Sequence, residues 1–240
     1  MKLKFIGVGG FGSNTNATSS FLLNDSMLFD IGAGVVSQLR KNEVDTSKIK
    51  YLFISHFHSD HFSDIAYFII RRSVIKQYNK LVIVGPKGTK KNTIALLNIM
   101  HSNHDDNEFI DIEEKYNIEF VELNNETKVF DDITIEAVEV EHGDADSCNG
   151  YIVTGNDLNI AYTGDINVCD AMDYLVGKAM TIVIDASYIE STPQHLGINT
   201  ITELANKYPD RKFYCVHRNE YEYKNIDNIY FPEDGEKIVD

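Results

Sequence analysis

The chain has 240 residues, is 43% hydrophobic and 25% charged, and carries a formal net charge of −15 at pH 7. No apolar run reaches the roughly 18–20 residues a membrane helix needs, and the first residues form no secretory leader. The three cysteines, Cys148, Cys169 and Cys215, are scattered singly, which points to a reducing, cytoplasmic setting rather than a disulfide framework. With no basic cluster larger than Arg71-Arg72 or Lys90-Lys91, the acidic balance disfavours long nucleic acid as a partner.

The first element is a strand predicted over residues 2–6, which leads into GVGGFG. Gly7, Gly9 and Gly12 have the spacing G-x-G-x-x-G, and Asp30 follows at the distance of an acidic partner, the outline of a dinucleotide-binding fingerprint. That fingerprint needs a helix opening at the glycines to hold the pyrophosphate. Residues 13–20 are instead SNTNATSS, and seven of these eight are Ser, Thr or Asn, which compete with helix through local side-chain bonds. A loop is expected there, with the glycines letting the chain turn where side chains would crowd.

Strands are predicted next over 20–23 and 26–30, joined by an Asn24-Asp25 turn. Val35, Val36 and Leu39 fall at helical spacing, and residues 51–55 form a short apolar run typical of a buried strand. Asp64 opens a helix carrying Ile65, Phe68, Ile69 and Ile70. A strand over 81–84 stops at Gly85-Pro86, a helix covers 93–100, and strands cover 118–123 and 133–140. Strands over 151–154 and 159–163 flank a hairpin turn at Gly155-Asn156-Asp157. Helices over 171–176 and 200–207 and strands over 181–185 and 212–216 complete the pattern, an α/β chain with sheets covered by helices, read as one domain over 1–240.

The chemistry concentrates in SHFHSDHFSD, residues 55–64, directly behind a buried strand. A strand end projects residues into a crevice, where the sites of open α/β sheets lie. His56 and His58 are two apart, so both imidazoles point the same way in extended chain, while Asp60 and His61 follow in the turn and can face a second centre. Imidazole and carboxylate are ligands that suit zinc.

H-F-H-S-D-H resembles the H-x-H-x-D-H motif of the metallo-β-lactamase superfamily. Other segments resemble it in order: Asp30 in LFDIGAG, His142 after a strand, Asp165 in YTGD and His217 in FYCVH. The resemblance implies an αββα four-layer sandwich. It also implies two metals, one held by His56, His58 and His142, the other by Asp60, His61 and His217, with Asp165 bridging and Asp30 orienting a ligand imidazole. The implied cofactor is a pair of zinc ions, with manganese as the other metal considered.

Within the superfamily the chain is most similar to the tRNase Z-like phosphodiesterase branch, whose opening matches the Gly-rich turn. His195 in QHLG matches the branch's extra histidine, which protonates the leaving group, and Asp185 is the candidate to orient it. Asp60 would also orient the attacking water. The turn would lie near the metal cleft, with Phe11 at the rim of the substrate pocket. No spare segment is seen for a tRNA-gripping arm. The resemblance therefore implies a compact phosphodiesterase acting on cyclic nucleotides or other small phosphodiesters, of the phage anti-Pycsar type. Such a protein is expected to be a homodimer in the cytoplasm, the host's if phage-encoded, without a membrane partner. The alternatives are tRNA 3′-processing, a thioesterase or lactonase on the same metals, and a metal-stabilised binding protein. His101 and His104 have no place in the motif and are expected on a solvated helix end.

Overall fold

Residues of one strand face alternate sides of a sheet, and here each side finds its own cover. Phe21, Phe29 and Phe53 point to one side and their neighbours Leu22, Leu28 and Leu52 to the other, and all six are buried. The computed structural model describes residues 1–101, 109, 111–221 and 226–239, and within these two seven-stranded sheets form.

The first sheet has the order β14-β1-β2-β3-β4-β5-β6, built from β1 (Lys2–Gly7), β2 (Ser20–Leu23), β3 (Met27–Phe29), β4 (Tyr51–Phe53), β5 (Leu81–Gly85), β6 (Ile118–Glu122) and β14 (Lys237–Val239). The second has the order β13-β12-β11-β10-β9-β8-β7, from β7 (Thr127–Phe130), β8 (Ile133–Glu139), β9 (Asn149–Gly155), β10 (Leu158–Tyr162), β11 (Thr181–Asp185), β12 (Lys212–Val216) and β13 (Ile229–Tyr230). A central core joins the sheets face to face: Phe5, Phe21, Phe29 and Phe53 from one meet Ile135, Tyr151, Ile160, Tyr162 and Tyr214 from the other.

The outer face of the first sheet is covered by α1 (Val35–Lys41), α3 (Ile65–Val74), α4 (Thr89–His101) and α5 (Ile112–Tyr116), which bury Val36, Leu39, Ile65, Phe68, Leu97 and Ile112. The second is covered by α6 (Asp170–Lys178) and α7 (Ile198–Lys207) through Leu175, Val176, Ile201 and Leu204. The result is helix, sheet, sheet, helix, the layering the sequence leads one to expect. No helix among the described residues is long and apolar enough to cross a membrane.

Across β2, β3 and β4 the rings of Phe21, Phe29 and Phe53 stack at 4.4 Å, and Tyr162 and Tyr151 of the opposite sheet meet this ladder edge-on. Each tyrosine also carries its hydroxyl to a polar partner at the sheet end, Tyr151 to the Ile54 carbonyl at 2.6 Å and Tyr162 to Asp30 at 2.6 Å.

Several elements differ from expectation. Residues 59–62, expected as a turn, form the one-turn helix α2 (Ser59–Phe62), and α4 begins four residues before the helix predicted from 93. Strand β7 has a half-exposed, polar pattern that gives no apolar signal, and β14 is a three-residue edge strand. Both are held by pairing with β8 and β1, which is invisible to local pattern. The glycine segment is followed by loop rather than helix, as predicted. A Cβ on Gly7 would lie 2.2 Å from the Thr18 carbonyl, so the returning loop, not a cofactor, requires glycine there.

Candidate metal centre

The candidate residues lie at the carboxyl ends of strands, where backbone amides and loops rather than continuing sheet surround them. Asp30 follows β3, His56 and His58 follow β4, His142 follows β8, Asp165 follows β10, Asp185 ends β11 and His217 follows β12. Asp60 and His61 sit on α2, which is tied to the loop after β3 by Ile31 N–H to the His61 carbonyl at 2.8 Å and Ala33 N–H to the Ser59 carbonyl at 3.2 Å. Contact there is so close that a Cβ on Gly32 would fall 1.6 Å from the Asp60 carbonyl oxygen.

These side chains converge into two clusters that share Asp165, and a third set, Asp165, Asp185, His195 and His217, overlaps the second. Ligand atoms of His56, His58, His142 and Asp165 lie within 4.8 Å of one another, as do those of Asp60, His61, Asp165 and His217. Around the shared carboxylate, Nε2 of His61 lies at 3.2 Å, of His217 at 3.4 Å, of His142 at 3.7 Å and of His56 at 3.8 Å. His58 turns the other nitrogen inward, its Nδ1 lying 3.2 Å from His142 Nε2. Asp165 does not cap α6, whose N-cap is Cys169.

The remaining ring nitrogens face groups that fix each imidazole. Asp30 accepts from Ser55 N–H at 2.7 Å, Ser55 Oγ at 2.7 Å, Tyr162 OH at 2.6 Å and His61 Nδ1 at 2.8 Å. With its proton on Asp30, the Ser55 hydroxyl accepts from His56 Nδ1 at 3.0 Å. His142 Nδ1 donates to the Gln194 carbonyl at 2.7 Å. Ser187 Oγ donates to Asp185 at 2.6 Å and receives His217 Nδ1–H at 2.8 Å. All four rings thus turn Nε2 into the centre, where each, once neutral, offers a lone pair to a cation.

Four of these partners were not among the expected site residues: Ser55, Tyr162, Ser187 and the Gln194 carbonyl. Ser55 and Tyr162 sit inside the quoted motifs, next to His56 and in YTGD, so adjacency was their only signal. Gln194 likewise opens the QHLG motif beside His195, and Ser187 alone had no such signal.

His195 and Asp185, proposed as a pair, do meet: His195 Nδ1 lies 2.9 Å from Asp185 Oδ2. The His195 ring is stacked over His217 with centroids 5.1 Å apart and lies edge-on to His142 at 4.8 Å, so it stands against both clusters. Gly10 presses on His217, since its Cβ would lie 2.9 Å from the His217 carbonyl oxygen, which puts the Gly-rich turn beside the centre; Phe11, next in the turn, stays 77% exposed. His101 is half-buried at the end of α4 rather than solvated, with Nε2 shielded from solvent, and His104 lies outside the described residues.

The donor set fits divalent cations. Nε2 of His56, Nε2 of His61 and Oδ1 of Asp165 are buried with no hydrogen-bond partner, an arrangement that a close-packed protein tolerates only where another group satisfies them. Electrostatics say the same. Burial works against the charge of Asp60, yet His217, whose Nε2 lies 3.1 Å from Asp60 Oδ2, and the nearby His61 ring outweigh it and hold its carboxyl well below the usual range. Burial would lower His217, but the Asp165 charge and the neighbouring carboxylates of Asp185 and Asp60 lift it to about 10. In His56, burial and the charge of His61 push the other way and keep the ring neutral, the form that ligates. The carboxylates thus demand positive charge at their midpoint, which a divalent cation supplies more compactly than protons.

A family model described as Anti-Pycsar protein Apyc1 matches residues 1–232. The chain belongs to the anti-Pycsar Apyc1 family. Among curated proteins it is 29% identical over 174 residues to the ribonuclease Z of Bacillus mycoides, a match covering 69% of the chain. The chain spans about half the length of that relative, 53% of it. Among solved structures it is similar to the metallo-β-lactamase fold protein YhfI from Bacillus subtilis, with TM-score 0.76, 18% identity and coverage of 99% of this chain and 98% of that one. It is also similar to a diphosphatase of the PhnP family, with TM-score 0.73, 16% identity and coverage of 99% and 96%. The four layers are therefore those of the metallo-β-lactamase fold, and the anti-Pycsar membership agrees with the tRNase Z-like resemblance read from the sequence.

Proposed function

We propose that this anti-Pycsar family member is a metal-dependent phosphodiesterase that hydrolyses small phosphodiesters, cyclic nucleotides first among them, on a dinuclear zinc centre. The observation that carries the reading is the pair of ligand clusters sharing Asp165, with the His195–Asp185 pair set against them. A hydrolytic centre of this kind needs two cation sites and a separate proton donor, and the clusters and the pair supply places for both. The family's anti-Pycsar description and the diphosphatase neighbour support the substrate class.

In this reading His56, His58 and His142 hold one cation, Asp60, His61 and His217 the other, and Asp165 bridges them. When bound, the cations would draw the pKa of a water from about 15.7 towards about 7 and neutralise charge on the phosphoryl oxygens. Asp60 orients the attacking water. His195 gives a proton from Nε2 to the leaving ribose oxygen, while Asp185, accepting from Nδ1, keeps the ring oriented and stabilises its protonated form. Asp30 holds His61. The same reading carries one domain acting as a cytoplasmic homodimer.

A second reading, tRNA 3′-processing, draws on the ribonuclease Z relatives, but a chain of net charge −15 with no large basic cluster is poorly suited to grip tRNA. The test is hydrolysis of bis-p-nitrophenyl phosphate and 3′,5′-cyclic mononucleotides beside pre-tRNA and lactones. Asp60→Ala and His61→Ala should reduce phosphodiester turnover to background with the circular dichroism spectrum retained. Full activity in chelator-stripped, metal-free protein would sink the proposal.

A further inference from the structure

A cleft of about 530 Å³ opens beside the His56 and His58 half of the centre, within the size range of small-molecule sites, roughly 300–1,000 Å³. One wall is the start of α4 and the loop before it, with Lys87, Gly88, Lys91 and Asn92; the opposite wall is the β8–β9 loop, with Asp144 and Asp146. Phe57, between the two ligand histidines, also lines it.

The lysines of this region divide by direction. Lys90 lies off the cleft and is neutralised: its ammonium pairs with Glu113, and its backbone N–H donates to Glu122. Lys87 and Lys91 line the cleft, are exposed, and form no ion pair among the described residues. In a chain with 37 acidic and 22 basic side chains, carboxylates to pair with are abundant. Two unpaired ammonium groups make one wall of the cleft positive, facing the carboxylates of Asp144 and Asp146 on the other.

We infer that Lys87 and Lys91 are the substrate-selecting wall of the centre: they draw an anionic phosphodiester into the cleft and hold its phosphoryl oxygens beside His56 and His58. The inference rests on the phosphodiesterase reading and adds residues to it. Lysine suits this task because it acts as a mobile point charge rather than a fixed fork, which tolerates different esters. Asp144 and Asp146 act against the lysines, so the wall's effect on an anion is a difference between the two sides of one cleft.

The test uses the metal-loaded protein and bis-p-nitrophenyl phosphate, which carries one negative charge and no sugar. Lys87→Ala/Lys91→Ala should lower kcat/KM about 10-fold at low ionic strength, chiefly through KM. It should also flatten the fall in kcat/KM that the unmodified protein shows between about 20 mM and about 500 mM salt. Lys87→Arg/Lys91→Arg should restore both, and Asp144→Asn/Asp146→Asn should raise kcat/KM, since it removes the opposing charge. Binding of inorganic phosphate, measured by calorimetry, should weaken in the alanine pair in step.

An alanine pair with unchanged KM, salt slope and phosphate affinity overturns the inference. So does a loss that arginine does not rescue, which marks a structural effect. If the unmodified protein binds phosphate through these lysines yet turns over no phosphodiester, the anion-binding wall stands, and the proposed function falls together with the substrate role that rests on it. If it hydrolyses the diester equally well without the lysines, the reverse holds.

Discussion

The two halves of the centre are built in opposite ways. On the first sheet's side, His56, His58, Asp60 and His61 come from one six-residue stretch between β4 and α3, steadied by Asp30 and by the contact that Gly32 permits. On the second sheet's side, His142, Asp165, Asp185, His195 and His217 arrive one at a time from separate strand ends and a loop. The first half is a local turn and depends on its own short chain. The second depends on the register of β8 to β12, because a one-residue slip would swing each side chain to the wrong face. Asp30 and His217, one in each half, are both held at positive φ, 56° and 57°, where non-glycine residues are uncommon and surrounding contacts must hold them.

The strongest way to break this comparison is Asp165, the second-half group that both ligand clusters share. Asp165→Asn should remove the bridging charge from both clusters at once, with loss of both metals in the metal content of purified protein and turnover at background. Retention of a full metal complement would show that the clusters bind without it.

A smaller effect is expected where the second half acts without ligating. His195→Ala should lower kcat by about 10² to 10⁴ with metal content unchanged. Asp185→Asn should cost less in kcat, about 10- to 100-fold, but should also weaken metal retention, because Asp185 reaches His217 through Ser187 as well as His195 directly. Equal kcat losses with no change in metal affinity would remove Asp185 from the His217 side.

The mildest change probes the tie between halves. Tyr162, on the second sheet, donates to Asp30, on the first, across a buried contact of 2.6 Å. Tyr162→Phe should cost about 1.5–3 kcal/mol of stability, the range for a hydrogen bond to a charged group, visible as a lowered Tm. Activity at a temperature where the variant is folded should fall only modestly. A Tm unchanged within error would make the bond dispensable.

Much of this was legible because it is local. The run of residues 55–64 states its chemistry in ten letters, and the unbroken apolar runs Phe21-Leu22-Leu23 and Leu28-Phe29 are those of strands covered on both faces. The glycine segment could be separated from a cofactor loop by the Ser/Thr/Asn run at 13–20, because helix formation is also decided locally. Illegible were the groups whose partners are far along the chain. Tyr162 and Asp30 are 132 residues apart, and Ser187 and His217 are 30 apart; neither serine nor tyrosine carries a local mark of such a role. Strands β7 and β14 escaped for the same reason, being strands only by virtue of the neighbour they pair with.

By itself the sequence determined which residue types are present and on which short segments: a histidine- and aspartate-bearing turn behind a buried strand, and single histidines and aspartates after later strands. Only the tertiary structure decided which nitrogen of each imidazole faces inward, which two sets share Asp165, and that Lys87 and Lys91 line the cleft while Lys90 turns away to Glu113. The reason is physical. Ligand type follows from side-chain chemistry, which each residue carries with it. Convergence follows from burying two apolar sheet faces against each other, which brings the carboxyl ends of distant strands to one edge and sets the hydrogen bonds there.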